Sequence, residues 1–518
     1  MSSLIGSIVG RVPMGPLRTL RKAAAHPWSS QEVLLRSLVK RAARTVAGKK
    51  FGFDGMIGSP DVVANFQARV PLQEYDDIRP LVERVRAGEE DVMWPGRMRD
   101  FAISSGTVSA GKIIPLSREA INCNSRFSLA VALNYLVHSG DLSMWFGEMV
   151  SLPGRIEEDP DHPGTLIGEV SGLQSKYAPS LVARLYQAVP HEILFMDNWD
   201  RKLDAVVDRT VDRDIRILAM VPSWGLVLFD KLITRYNQIH GGGARCVLDV
   251  WPNLRVFFSG GVELSSYRDL LIEQIGGPMN FVESYGASEG YFAIQDRPSD
   301  TDMLLHLNNG VFYEFVPVEQ VGQDNPDRLT IRDVELDVRY ALYTSTCSGL
   351  WSYAVGDVVR FTSTSPYRIV VAGRTTEMID KYGEAVFGDE ARAALMEACE
   401  GTCAGVVEYH IAPSRVVAGA LPTHQWLVEF DHPPDDPAAF ARAIDQYLQR
   451  VNRHYQIRRE AGAFLEPQIV PVPRGTFENW LKGTKERVSA QSKVLRMSEE
   501  RQIADSVLTF AARLEHRS

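Results

Sequence analysis

Apolar residues along this chain fall into two alternating patterns. Short apolar runs, at residues 101–103, 254–258 (interrupted only by Arg255) and 280–283 (Phe281-Val282 between polar ends), each stop at a cluster of small polar residues. Between and beyond them, apolar positions return every three or four residues, at 117–137, 178–188, 202–210, 222–239 and 267–275. An unbroken apolar run of strand length suits a strand covered on both faces, and the wider spacing suits a helix with one buried face. Ser117 stands where an N-cap hydroxyl is expected, with Glu119 in the first turn. Repeated strand–loop–helix units predict an α/β core.

The pattern changes near residue 303. Extended pieces at 304–307, 311–316, 335–343 and 367–372, separated by breakers such as Gly310 and Asn325-Pro326, predict antiparallel, β-barrel-like structure. After Gly373-Arg374 it changes again, with helices expected at 389–399 and 436–452 and strands at 406–411, 425–429 and 464–472. Near the other end, residues 27–46 place Val33, Leu34, Leu38, Val39, Ala42 and Ala43 at helical spacing, with Arg36, Lys40, Arg41 and Arg44 elsewhere on the cylinder. A basic amphipathic helix of this kind suits an anionic lipid surface or the body of the protein, and packing against the body is the expectation.

A chain of 518 residues is too long for one ordinary domain. The expected organisation is α/β, with a large N-terminal domain (1–373) of mixed sheets and a β-barrel-like part, and a small mobile C-terminal α+β domain (374–518). The net charge of −9 argues against nucleic acid as the main partner, although residues 1–50 carry ten Lys or Arg against the single acid Glu32. Five cysteines, at 123, 246, 347, 399 and 403, imply no disulfide framework and fit a reducing, cytoplasmic setting. Cys399 and Cys403 have no neighbouring His or Cys pair to complete a zinc site. The most apolar stretch, 215–229, is interrupted by Arg216, Pro222 and Gly225, so integral membrane association is not expected.

Four glycine-containing polar stretches end apolar runs, and open α/β sheets bind ligands at the carboxyl ends of their strands. The first is Ser104-Ser105-Gly106-Thr107-Val108-Ser109-Ala110-Gly111-Lys112. Its hydroxyls, backbone N–H groups and lysine suit phosphate, but Ile113 follows the lysine where a P-loop needs Ser or Thr. The second is Gly260-Gly261, the third runs from Tyr285 to Gly290, and the fourth from Tyr353 to Asp357. Glu289 is the one acid of the third stretch, suited to hold Mg²⁺ beside a triphosphate. Asp357 is suited to a ribose diol. A solvated turn would have a similar composition in each case, and it is their number that favours a site. Lys482, Lys485, Arg487, Lys493 and Arg496 form a further basic cluster. No G-x-S-x-G, H-E-x-x-H or G-x-G-x-x-G motif is present.

Taken together these stretches resemble the GH3 acyl-acid amido synthetases, a branch of the adenylate-forming acyl-CoA synthetase and luciferase superfamily. Ser104 to Thr107 with Lys112-Ile113-Ile114-Pro115 resembles the first, phosphate-binding motif. Trp251-Pro252-Asn253-Leu254 and Phe258-Ser259-Gly260-Gly261-Val262 resemble the middle strand and its glycine pair. Glu283-Ser284-Tyr285-Gly286-Ala287-Ser288-Glu289-Gly290-Tyr291 resembles the second motif, and Gly349 to Phe361 the third. Gln491-Ser492-Lys493-Val494-Leu495-Arg496 resembles the C-terminal lysine stretch.

The resemblance implies an ATP- and Mg²⁺-dependent ligase that activates a carboxylic acid as its adenylate and passes the acyl group to an amino acid amine. By the same resemblance Ser104, Ser105, Gly106, Thr107 and Lys112 would cradle phosphates and Glu289 would hold Mg²⁺. Gly261 and Tyr285 would flank adenine, Ala287 and Ser288 would approach the adenylate, Asp357 would bind ribose, and Arg374 would begin the hinge. Lys493 would neutralise the α-phosphate. A CoA or carrier-protein thiol is the alternative acceptor, and a non-catalytic nucleotide or acyl-acid binding protein the alternative class. The acyl pocket is expected within 120–185 and 221–262, with Trp145, Phe146, Tyr177, Trp224 and Phe258 as candidate walls. Departures from the family pattern are Val108-Ser109, Gly111, Ser352 (in place of a basic residue near the nucleotide) and Thr376-Glu377.

Overall fold

In the computed structural model, residues 14–103, 112–178, 186–196, 198–261, 264, 267–297, 300–375, 377–379, 381, 384, 386–415, 421–460, 464–484 and 494–515 are described. The runs at 254–258 and 280–283 fall in the parallel half of a ten-stranded sheet, and the run at 101–103 falls in a separate four-stranded one. Strands β3 (Glu148–Ser151), β6 (Ile215–Ala219), β7 (Val256–Gly260) and β8 (Asn280–Ala287) lie side by side in parallel. Both faces are covered. Phe257, Phe281 and Leu218 pack with the helices Pro222–His240 and Arg268–Ile275, while Ile217, Val256 and Val282 pack with Phe127 and Val131 of the helix Arg118–Ser139. Ser117 caps that last helix through a bond from the Ala120 N–H to its Oγ, as its position predicts.

After β8 the chain makes a hairpin. Ser288-Glu289 turns it directly into β9 (Gly290–Ile294), with Ala287 paired to Gly290. The loop expected from residue 284 onward is therefore mostly strand, and its acid sits at the hairpin tip.

The expected barrel-like part is an extension of the same sheet. Strands β10 (Met303–Leu305), β11 (Val311–Pro317), β12 (Arg339–Thr346), β13 (Tyr353–Thr364) and β14 (Tyr367–Arg374) give the order β11-β12-β13-β14-β10-β9-β8-β7-β6-β3. No closed barrel occurs among the described residues. Closure is not needed, because the β11 edge is covered by the helix α1 (Pro27–Ala42) and by the Leu329 backbone, which exchanges two hydrogen bonds with Phe315. Gln31 Nε2 donates to the carbonyls of Leu307 (2.9 Å) and Val311 (3.0 Å), and its Oε1 accepts from the Tyr313 N–H at 2.9 Å. A side-chain amide here stands in for a neighbouring strand. The buried face of α1 is Gln31, Leu35, Leu38, Val39 and Ala42, and Val33, assigned to that face from spacing, is 67% exposed.

A four-stranded sheet, β2-β1-β5-β4, holds the hairpin of β1 (Asp100–Ile103) and β2 (Ile113–Leu116), together with β4 (Ile156–Glu158) and β5 (Leu166–Gly168). Residues 104–111, which join β1 to β2, lie outside the described residues, as does most of the helix expected at 178–188. Beyond the two-stranded β15 (Met378–Ile379) and β16 (Val386–Phe387), a three-stranded sheet of β17 (Gly405–Pro413), β18 (His424–His432) and β19 (Gln468–Val472) is covered by the helices Gly388–Thr402 and Pro437–Val451. Every buried residue of that core comes from position 379 or later. Among the described residues no helix is long and apolar enough to cross a membrane.

Candidate active site

The carboxyl ends of β7 and β8, the hairpin tip, and the facing ends of β13 and β14 open into one cavity of about 2140 Å³. Pockets for a single small ligand hold roughly 300–1,000 Å³, so this space suits more than one substrate. Its walls come from both sides of residue 374, with Glu408, Val494 and Arg496 among the contributors from beyond it.

At the polar end stands Glu289, buried at the hairpin tip. Burial pushes its carboxyl up to about 7, reinforced by Asp357 and opposed by Lys112 and Arg374. Opposite it, Asp357 and Arg374 form a cross-strand pair of β13 and β14, with Arg374 Nε 3.5 Å from Asp357 Oδ1. The Tyr285 hydroxyl donates to Asp357 Oδ2 at 2.7 Å. Burial, with the Asp357 charge next to it, holds that phenol well above the usual tyrosine range. Gly356, beside Asp357, has φ +90 and Gly261, after β7, has φ +82, so the chain can bend there without a Cβ clash.

Lys112 enters β2 with its Nζ 5.8 Å from the Tyr353 ring centroid. Glu74 shares its field: burial raises that carboxyl and Lys112 lowers it. Ser288 Oγ donates to the carbonyl of Ile103 at 3.4 Å, which ties the hairpin tip to the end of β1. Ile103 and Lys112 both line the cavity. Gly261, Tyr285, Ala287, Ser288, Glu289, Asp357, Arg374 and Lys112 thus come together in one space. Ser104, Ser105, Gly106, Thr107 and Lys493 lie outside the described residues, as do Val108, Ser109, Gly111 and Thr376.

The other end is apolar, with Phe127, Val131, Trp145, Met149, Ile217 and Phe258 on its walls. Trp224 also lines the cavity. Two expected wall residues do not. Phe146 is 67% exposed. Tyr177 donates to both Asp100 carboxylate oxygens (2.9 and 3.0 Å) beneath the Arg118 guanidinium, 3.8 Å from its ring centroid, so it anchors the start of β1. Ser352 is not at the nucleotide end either. It is fully buried, bonded to Glu314 and Arg328. Glu74, Tyr267 and Glu408 line the cavity and were missed, because none lies in a glycine-containing stretch or next to an apolar run that ends in one.

The geometry agrees with comparisons to known proteins. Residues 16–146 match the GH3 family N-terminal domain, 304–374 the GH3 family central domain and 389–502 the GH3 family C-terminal domain, together more than half of the chain. The chain is 27% identical over 540 residues to the indole-3-acetic acid-amido synthetase GH3.8 of Oryza sativa subsp. indica, covering 89% of this chain and 86% of that protein. It is 25% identical over 520 residues to the indole-3-acetic acid-amido synthetase GH3.3 of Arabidopsis thaliana, covering 86% and 85%. Its fold is similar to that of the GH3.15 acyl acid amido synthetase in complex with 2,4-DB (TM-score 0.76, 18% identity, 95% of each chain). It is more distantly similar to 2-hydroxyisobutyryl-CoA ligase in its postadenylation state (TM-score 0.56, 13% identity, 93% of this chain and 91% of that one). Three matched segments in family order, on a fold shared with an acyl acid amido synthetase, place this chain in the GH3 family.

Proposed function

We propose that this chain is an ATP-dependent, AMP-forming ligase that adenylates a small, apolar or aromatic carboxylic acid and joins it to the amine of an amino acid. The observation that carries this reading is a buried carboxylate, Glu289, facing Lys112, Arg374 and the Asp357–Tyr285 pair at the head of an apolar cavity too large for one small ligand. The amido synthetases that the chain is similar to support it.

In the first step the substrate carboxylate attacks the α-phosphorus of ATP, forming a C–O–P bond and expelling pyrophosphate. The protein contributes position and charge to such a displacement, not covalent chemistry. Ser104, Ser105, Gly106, Thr107 and Lys112 would hold the phosphates, Gly261 and Tyr285 would flank adenine, and Asp357 would take the ribose hydroxyls. Glu289, a buried hard oxygen donor in the cavity wall, would hold Mg²⁺, which would supply charge neutralisation at the phosphates. Lys493 would stabilise the α-phosphate. In the second step the amine attacks the acyl carbonyl next to Ala287 and Ser288, and AMP leaves with the bonding pair. A small domain, residues 374–518, would turn about a hinge beginning at Arg374 between the steps; its separate core from residue 379 onward supports that division. Five cysteines without a disulfide support a cytoplasmic setting.

The test is pyrophosphate exchange into ATP over a panel of aromatic, aliphatic and hydroxylated acids, followed by acceptor-dependent product formation. Exchange that requires the acid, with amide formed from amino acids, is expected. Stimulation by a thiol alone would overturn the acceptor assignment, and ATP binding without any acid-dependent exchange would overturn the enzyme.

A further inference from the structure

Two thiols from distant parts of the chain meet beside the helix Arg118–Ser139, and no step of the proposed reaction uses either. Cys123 lies on that helix and Cys347 directly follows β12. Their sulfurs flank Gly310, which has no side chain to keep them apart. A Cβ built there would stand 2.6 Å from Cys347 Sγ and 3.1 Å from Cys123 Sγ, so the two sulfurs are at most about 6 Å apart, against about 2 Å in a disulfide. The backbone around them is fixed. The Cys347 N–H donates to Gly310 O at 2.9 Å, and Cys347 O accepts from Ser117 Oγ at 2.5 Å. The Ser117 N–H donates to Ser348 Oγ at 2.9 Å, so the helix that carries Cys123 starts on the turn that carries Cys347. Both thiols pack in one core. Cys347 is buried there, whereas Cys123 is partly exposed, which makes Cys123 the one that an oxidant meets first.

We propose that Cys123 and Cys347 are a redox modification site, closed to a disulfide by hydrogen peroxide and reopened by a dithiol, which ties the cavity-wall helix to the end of β12. The Cys123 thiolate attacks one peroxide oxygen. An S–O bond forms, the O–O bond breaks, and the leaving oxygen departs as water with the thiol proton. Cys347 Sγ then attacks the sulfenic acid so formed. The S–S bond forms, the S–O bond breaks, and a second water leaves with the Cys347 proton. The two sulfurs together lose the two electrons that the peroxide gains. A change of rotamer at each cysteine covers most of the distance, and a pull on the start of the helix supplies the rest. Phe127, one turn after Cys123 on the same helix face, is a wall of the apolar end of the cavity, so that pull is felt where the acid would sit. A disulfide of this kind in a reducing compartment is transient and redox-sensing, not structural. The site goes beyond the ligase reading, and only its effect on the acid rests on that reading.

The full chain, reduced and then treated with a small excess of hydrogen peroxide, should lose two of its five thiols and about 2 Da of mass. Digestion should give a crosslinked peptide pair that joins Cys123 to Cys347, and dithiothreitol should restore both thiols. Cys399→Ser combined with Cys403→Ser removes the other closely spaced pair and should leave the crosslink in place. Cys347→Ser should let Cys123 pass on to sulfinic acid, about 32 Da heavier and not restored by dithiothreitol. The oxidised protein is expected to need about threefold more acid for half-maximal pyrophosphate exchange, reversibly and with its ATP requirement unchanged. A pair that stays reduced while the exposed Cys403 takes up the oxidant would show two packed core thiols and overturn the site. A crosslinked protein with an unaltered acid requirement would overturn the control of the cavity. Mass and thiol count decide the crosslink whatever the cavity binds, so its failure and that of the ligase reading are told apart.

Discussion

The Ser352 hydroxyl donates to Glu314 Oε2 at 2.5 Å and accepts from Arg328 Nη2 at 2.8 Å, all three groups lying out of solvent or nearly so. Ser352→Ala strips one donor from a buried carboxylate, which costs about 1–3 kcal/mol. The expected outcome is a lower urea midpoint with the KM for ATP unchanged, read by equilibrium unfolding and exchange kinetics. A raised KM at unaltered stability would return this position to the nucleotide site. From its place in the third motif, the residue suggests a missing charge near the nucleotide. Motif position orders residues along the strand but does not say which face each takes, and the positive φ of 45° at Ser352 turns its side chain toward Glu314. Glu289, Asp357 and Tyr285 were legible for the opposite reason. Each is the only group of its kind in a stretch of small residues, so its chemistry shows without knowledge of the fold. Tyr267 and Glu408 reach the cavity only through tertiary packing, and no local pattern marks them.

Elements show the same division. The short runs at 254–258 and 280–283 became neighbouring strands as read, since length and a following turn suffice for that. The antiparallel half was misjudged as barrel-like, because whether strands close depends on what covers the last edge. Here α1 does so through the Gln31 amide, and the Leu329 backbone through its bridge to Phe315. Gln31→Leu would leave the Leu307 and Val311 carbonyls and the Tyr313 N–H without their partner, at about 1–3 kcal/mol for each buried group. A markedly lower unfolding midpoint and increased self-association through the bared edge are expected. Full stability in that variant would mean that the Leu329 bridge to Phe315 covers the edge without the amide.

Strand β17 supplies an acid-sensitive counterpart. His410 gives its Nδ1 proton to Leu495 O, and its Nε2 is buried without a partner among the described residues. Burial lowers the imidazole from 6.5 to about 4. The folded state therefore binds fewer protons than the unfolded chain in that window. Stability is fully present above pH 6.5 and is lost progressively as pH falls toward 4. The loss is on the order of 3 kcal/mol for one such group. His306, likewise lowered to about 4 by burial, adds a second slope of the same sign. His410→Asn keeps a donor at the Nδ1 position and should remove about half of the pH dependence, measured as unfolding midpoint against pH. An unchanged profile would place the acid sensitivity elsewhere.

At the scale of the whole molecule, the question is what holds residues 388 onward against the large sheet. Arg339 of β12 bonds both Asp389 oxygens and Glu390, each at 3.1 Å, and its guanidinium lies over Phe387. This clamp sits beside the crossing, where Gly373 is the last residue but one of β14 and Gly388 begins a helix. A Cβ built on Gly373 would meet nothing nearer than 3.7 Å, at Gly388 Cα, so there is room for a methyl group. Its φ is +117, however, a region that L-residues avoid. Gly373→Ala thus imposes a conformational penalty of about 1–3 kcal/mol without a steric one. If the chain pivots here, the penalty falls on the orientation described and not on an alternative in which this φ relaxes. Exchange should then drop by about fivefold or more while transfer from supplied acyl-adenylate is kept or accelerated. If residue 373 keeps the same φ in both orientations, the penalty is uniform, and the variant loses stability with the ratio of the two half-reactions unchanged.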